Sequence, residues 1–99
     1  MTVKTTRFDA AEYLDTPEVQ AAFVADAFES GDEAYIKKAL ATVARARGMT
    51  AVAQEADLAR GTLYKSLSET GDPKLSTLLN ILTALGMEIS VRTKAPKAA

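Results

Sequence analysis

The stretch "DLARGTLYKSL", residues 57–67, gathers the side chains with the most chemistry to offer. It holds a guanidinium at Arg60, an ammonium at Lys65, a hydroxyl at Thr62 and a phenol at Tyr64, around Leu63 and Leu67 spaced one helical turn apart. A guanidinium on an outward helix face can donate two parallel hydrogen bonds to guanine O6 and N7. Lysine and hydroxyl groups beside it suit phosphate oxygens, which fix position and carry no sequence information. Any amphipathic helix also exposes basic side chains to water, so Arg60 and Lys65 need support from their surroundings.

That support comes from the residues just before them. In "TAVAQEADLARGTLYKSL" a short helix, a turn at Asp57 and a second helix have the spacing of a helix-turn-helix, whose two helices cross steeply over a short turn. The crossing needs a small residue, supplied by Ala53, and an apolar underside, supplied by Val52, Ala56, Leu58, Leu63 and Leu67. In this arrangement the second helix enters the major groove, so Arg60, Gly61, Thr62 and Lys65 face outward. Gly61 reads nothing itself but lets the backbone come close to DNA, while Thr50 and Thr62 offer hydroxyls to phosphates. Tyr64 is open between a phosphate contact and a place in the core. The turn residue tends to be left-handed, and Asp57 tolerates that less well than glycine does.

The elements that must carry this motif follow from caps and periodicity. Asp9 and Glu12 have capping-box spacing, with Phe8 as a staple, ahead of a short helix at about residues 10–14. Thr16 as N-cap, Pro17 at the first helical position and Gly31 as the stop frame a second helix, with Val19, Phe23, Val24, Ala27 and Phe28 on its apolar side. Asp32 caps a third helix that ends at Gly48, with Ile36, Leu40 and Val43 recurring at helical spacing and Arg45 and Arg47 near its negative end. Thr50 is expected to cap the short helix at 51–56. Leu75, Leu78, Leu79, Leu82 and Leu85 form a stripe expected to be core, closed by Gly86. In "MEISVRT", Met87, Ile89 and Val91 alternate with Glu88, Ser90 and Arg92, the period of a half-buried strand over 87–92. A lone strand needs a partner, either its own copy in a dimer or a sheet of another protein, and in a dimer strand 87–92 or the Leu75–Leu85 helix would supply the interface.

The totals narrow the function. Ninety-nine residues with 47% hydrophobic content make one domain with a single core. With no cysteine and no histidine, disulfides, thiolate metal sites, cysteine nucleophiles and histidine acid–base catalysis are excluded by composition. No nucleophile–base pair or phosphate-cradling glycine loop replaces them, so neither catalytic activity nor a cofactor is expected. No apolar run approaches the roughly 20 residues that cross a bilayer, and the start lacks the apolar core of a secretory signal, so a cytoplasmic protein is expected. The net charge of −1 hides an asymmetry. Residues 1–33 carry two basic and eight acidic side chains, net −6, while residues 34–99 carry ten and five, net +5. Two partners of opposite charge would fit this division, although the acidic face of residues 9–33 also reads as a solvated surface.

From "FDAAEYLDTPEVQAAFVADAFESGD" through "ALATVARARGMTAVAQEADLARGTLYKSLSETGDPKLSTLLNILTALGMEISV", the chain resembles the addiction-module antidote proteins, helix-turn-helix antitoxins of the HigA-like type. "ARARGM", "LYKSLS" and "LTALGM", in that order, are the most specific pieces. The resemblance implies an antitoxin encoded beside a RelE/ParE-superfamily (HigB-like) toxin, which it neutralises while repressing their shared promoter as a homodimer. It places DNA contacts on Arg60, Gly61, Thr62 and Lys65, with Thr50 near the backbone; Asp57 and Ala59 depart from the glycine and capping serine common there. The expected fold is mainly α, a compact five- to six-helix lambda-repressor-like domain with a short C-terminal β-strand. Residues 1–30 would be a helical extension touching the toxin, through Asp9, Glu12, Asp15, Glu18, Asp26 and Glu29. Residues 31–93 would be the DNA-binding domain and 94–99 a disordered tail. The rival reading is a protein-interaction adaptor that keeps the scaffold without binding DNA.

Overall fold

Thr16 starts the first long helix as its sequence demands: the side-chain oxygen accepts the Val19 N–H at 3.1 Å, and Pro17 follows where a missing N–H costs nothing. The computed structural model describes residues 10–94. Within them lie a 3-10 turn at Ala10–Tyr13 and the helices α1 (Pro17–Ser30), α2 (Glu33–Arg47), α3 (Met49–Glu55), α4 (Arg60–Ser66) and α5 (Leu75–Ala84). The molecule is mainly α. Asp9 and Phe8, read as cap and staple, lie outside the described residues, as do 95–99 of the tail.

Asp32 caps α2, its Oδ1 accepting the N–H groups of Ala34 and Tyr35 at 3.0 and 3.4 Å. Gly48, with φ 104 and ψ 112, is at once the end of α2 and the start of α3. The second short helix therefore begins at Met49, whose side chain is buried, and Thr50 sits inside its first turn with no side-chain cap bond. The cap expected at Thr50 is thus supplied by backbone geometry at Gly48.

α3 is the hub of the fold, packed against α2, α4 and α5, while α2 also meets α1 and the 3-10 turn. The core these contacts enclose runs through Leu14, Val24, Leu40, Val43, Val52, Ala53, Leu63, Leu67, Ile81, Leu82 and Leu85. Leu40, Val43, Leu63 and Ile81 are wholly enclosed. Truncating one such leucine to alanine typically costs about 2–5 kcal/mol. Ala53, Ala56, Ala39 and Ala44 are buried as well, which lets neighbouring helix backbones come close.

Three expectations change. The leucine stripe of α5 is only partly core: Leu75 is 67% and Leu79 42% exposed, while Ile81, outside the stripe, is buried. The inward face of α5 is turned toward Ile81, Leu82 and Leu85, which leaves the start of the stripe on the surface. Val19 of α1 is likewise exposed. Among the described residues there is no β-strand: residues 87–94 carry no regular secondary structure, and Val91 is 93% exposed. A strand is defined by a ladder partner, and none of the described residues pairs with this segment.

Candidate nucleic-acid interface

The turn between α3 and α4 is built from two backbone bonds around a left-handed residue. Asp57, at φ 60, is the non-glycine residue with positive φ among those described. Its N–H bonds the Gln54 carbonyl at 3.1 Å and the Leu58 N–H bonds the Ala53 carbonyl at 2.9 Å. This is the Schellman pattern that usually takes glycine. Asp57 adopts the conformation that sequence reasoning asked of it, and Leu58 folds back partly buried against the core.

α4 makes about two turns from seven residues. Leu63 and Leu67 anchor it to the core, one wholly buried and the other nearly so. Arg60, Gly61, Thr62, Tyr64 and Lys65 are all exposed, on the sides that those anchors leave open. Tyr64, at 46% exposure, is settled as a surface residue. Arg60 and Tyr64 are four residues apart and meet: the guanidinium carbon lies 5.5 Å from the ring centroid, and a guanidinium N–H donates to the phenol oxygen at 3.3 Å. The pairing narrows the freedom of the longest donor on this surface. Ala59, the N-cap, makes no side-chain bond. A Cβ placed on Gly61 would meet nothing within 4 Å, so packing does not require the glycine. Thr50 is exposed on α3.

Two features that hold this surface are not visible as local patterns. Lys37 of α2 donates from Nζ to the carbonyls of Glu69 and Gly71, at 3.1 and 2.6 Å, tying down the loop that follows α4. Gly71 lies so close to the end of α4 that a Cβ on it would collide with the Lys65 and Ser66 carbonyl oxygens. Lysine 32 or 34 residues from its acceptors leaves no trace in a helical periodicity.

The acidic candidates are not one cluster. Asp15 and Glu18 are exposed near the start of α1. Asp26 accepts the Tyr35 hydroxyl at 2.6 Å, a bond to a carboxylate that holds the phenol above its ordinary pKa. Glu29 pairs with Arg92 at 3.2 Å, with both side chains largely in water. Asp9 lies outside the described residues and Glu12 falls in the 3-10 turn. Among the described residues no cluster of carboxylates could hold a metal ion, and no helix is long and apolar enough to cross a membrane.

Residues 4–93 match the family model described as probable addiction module antidote protein. The chain belongs to this antidote family. An uncharacterized protein of Haemophilus influenzae (strain ATCC 51907 / DSM 11121 / KW20 / Rd) is 34% identical over 92 residues, covering 93% of this chain and 95% of that protein. No solved structure matches. The antidote family fixes the general role as a regulatory one, the antitoxin of a toxin–antitoxin module.

Proposed function

We propose that this antidote protein is a helix-turn-helix antitoxin of the HigA-like type that represses its own operon as a homodimer and neutralises a RelE/ParE-superfamily toxin. α3 and α4 form the helix-turn-helix, with α4 laid in the major groove of the operator. The observation that carries the reading is the one surface on which Arg60, Gly61, Thr62, Tyr64 and Lys65 stand outward while Leu63 and Leu67 are sunk in the core. Arg60 reads guanine; Lys65, Thr62 and Thr50 meet phosphates. Two copies would place their recognition helices roughly 34–36 Å apart, one turn of DNA. Residues 31–93 serve DNA, and residues 1–30 serve the toxin. Exposed Asp15 and Glu18, together with Asp9 and Glu12, and the net −6 of residues 1–33 favour a basic toxin surface. Asp26 and Glu29 join that contact only by sharing their carboxylates with Tyr35 and Arg92.

The test is binding to a labelled fragment of the DNA upstream of its own gene at two salt concentrations. Wild type should bind selectively and lose affinity steeply with salt. Arg60→Ala should lose about 1–3 kcal/mol and relax the sequence preference, whereas Lys65→Ala should weaken all sequences alike. If folded wild type leaves DNA unbound at low salt, the DNA-reading role is wrong and the scaffold serves protein partners alone.

A further inference from the structure

Beyond α5 lies a segment whose backbone has no hydrogen-bond partner among the described residues. Gly86 ends α5 at φ 73, with its N–H on the Thr83 carbonyl and the Met87 N–H on that of Leu82. From Glu88 to Lys94 no backbone hydrogen bond is made within the described residues. This segment forms one wall of an open groove of about 800 Å³ whose other wall is α1, with Val24, Phe28, Leu82 and Met87 in its lining. Ile89 is 44% and Val91 93% exposed beside that apolar lining. Among the described residues Val91 is the most exposed of the large apolar side chains, on a stretch that alternates with period two.

We propose that the partner of this segment is the same segment of a second copy, paired antiparallel about a two-fold axis at Ser90. The inference deepens the homodimer reading above by assigning the interface. It rests on the segment being complementary to itself. Antiparallel pairing about Ser90 sets Glu88 opposite the partner's Arg92 and Ile89 opposite the partner's Val91, each twice by symmetry. Directly opposed residues share a face of the ribbon, so charge meets opposite charge on one face and apolar meets apolar on the other. Other registers keep only half of this match. With the axis at Ile89 the apolar face stays paired, but Glu88 faces serine. With the axis at Val91 Glu88 faces the partner's Lys94, but serine faces Arg92 and Ile89 faces threonine. An axis between two residues sets apolar side chains against polar ones. A two-stranded ribbon alone is marginal in water, and the apolar groove along α1 supplies the surface it needs to lean on.

Sedimentation equilibrium of the full chain without DNA tests this, with circular dichroism to confirm that each variant keeps its helices. Wild type should be a dimer at micromolar concentration. Val91→Asp should be a folded monomer there, since a side chain 93% exposed has no part in holding the single copy together. Glu88→Arg and Arg92→Glu should each weaken the dimer about tenfold by opposing like charges in two places, and the double variant should recover to within about threefold of wild type. Because Arg92 also reaches Glu29 at 3.2 Å, Glu29→Gln is the control, and it should leave the dimer at least as tight. A dimer indifferent to Val91→Asp overturns this interface but leaves the homodimer standing. Single swaps that the double variant fails to rescue overturn the register. Wild type that stays monomeric in the submillimolar range removes the homodimer and this interface together, whatever the DNA experiment shows.

Discussion

Arg60 is the longest donor on α4, and its contact with Tyr64 is what distinguishes it from a solvated arginine. The contact orients the guanidinium before any ligand arrives, so less rotamer freedom is lost on binding. Gly61, next to it, makes a sharper prediction. Glycine inside a helix costs about 0.5–1 kcal/mol relative to alanine, and the space around Gly61 would admit a methyl group. Gly61→Ala should therefore raise the urea midpoint while lowering operator affinity, as checked by denaturation and DNA titration on one preparation. A stabilised variant that binds DNA unchanged would remove the case for close backbone approach at this position. Asp57 can be tested in the same way: Asp57→Gly should stabilise by about 0.5–1 kcal/mol and Asp57→Val should destabilise by about 1–2, because a left-handed residue is cheapest without a branched Cβ. The surface of α4 was legible in the sequence because Leu63 and Leu67 fix which sides face out. The place of Tyr64 was not, since an aromatic residue one position from a core leucine satisfies either side of the helix.

At the scale of elements, α4 is held from beneath by its leucines and from behind by the loop that follows it. Seven residues are too few to persist as an isolated helix, so the direction in which Arg60 points is set by neighbours. Gly71 and Lys37 are two of these. Gly71→Ala forces the loop away from the Lys65 and Ser66 carbonyls and breaks the reach of Lys37, and should cost about 1–3 kcal/mol in urea denaturation. DNA affinity should fall with it, although neither residue lies among the outward side chains of α4; normal stability would mean the loop yields freely. Helix ends were the most legible elements. Thr16, Gly31, Asp32, Gly48 and Gly86 each stand where their chemistry predicts, because caps are local. The α5 stripe was misread because periodicity gives a helix an apolar face without fixing where that face is centred. The core takes Ile81, Leu82 and Leu85, and Leu75 and Leu79 fall at the exposed margin.

Across the whole molecule, one side chain joins the segments assigned to different partners. Arg47 was expected to serve the α2 macrodipole, and it does more: Nε donates to the Gln20 oxygen at 2.6 Å and a terminal N–H to the Leu85 carbonyl at 2.8 Å. Gln20, itself buried, passes the connection to the Leu14 carbonyl at 2.9 Å. The start of α1, the end of α2 and the end of α5 are thereby held at one point. Arg47→Ala should destabilise the fold by about 1.5–3 kcal/mol, since its lost hydrogen bonds are charged and leave buried acceptors behind. Arg47→Lys should recover only part of this, lacking the planar fork that spans both acceptors; full recovery in thermal or urea unfolding would reduce the contact to simple charge. Nothing in a linear reading pairs residues 20, 47 and 85, which is why this junction came only with the fold. The chain has no tryptophan and three tyrosines, and their placement gives the protein a fluorescence of its own to read. Tyr35, bonded to a carboxylate, should emit weakly, while Tyr64 stands exposed on α4. Operator binding would then change the emission of Tyr64, so the arrival of DNA can be followed without attaching a dye.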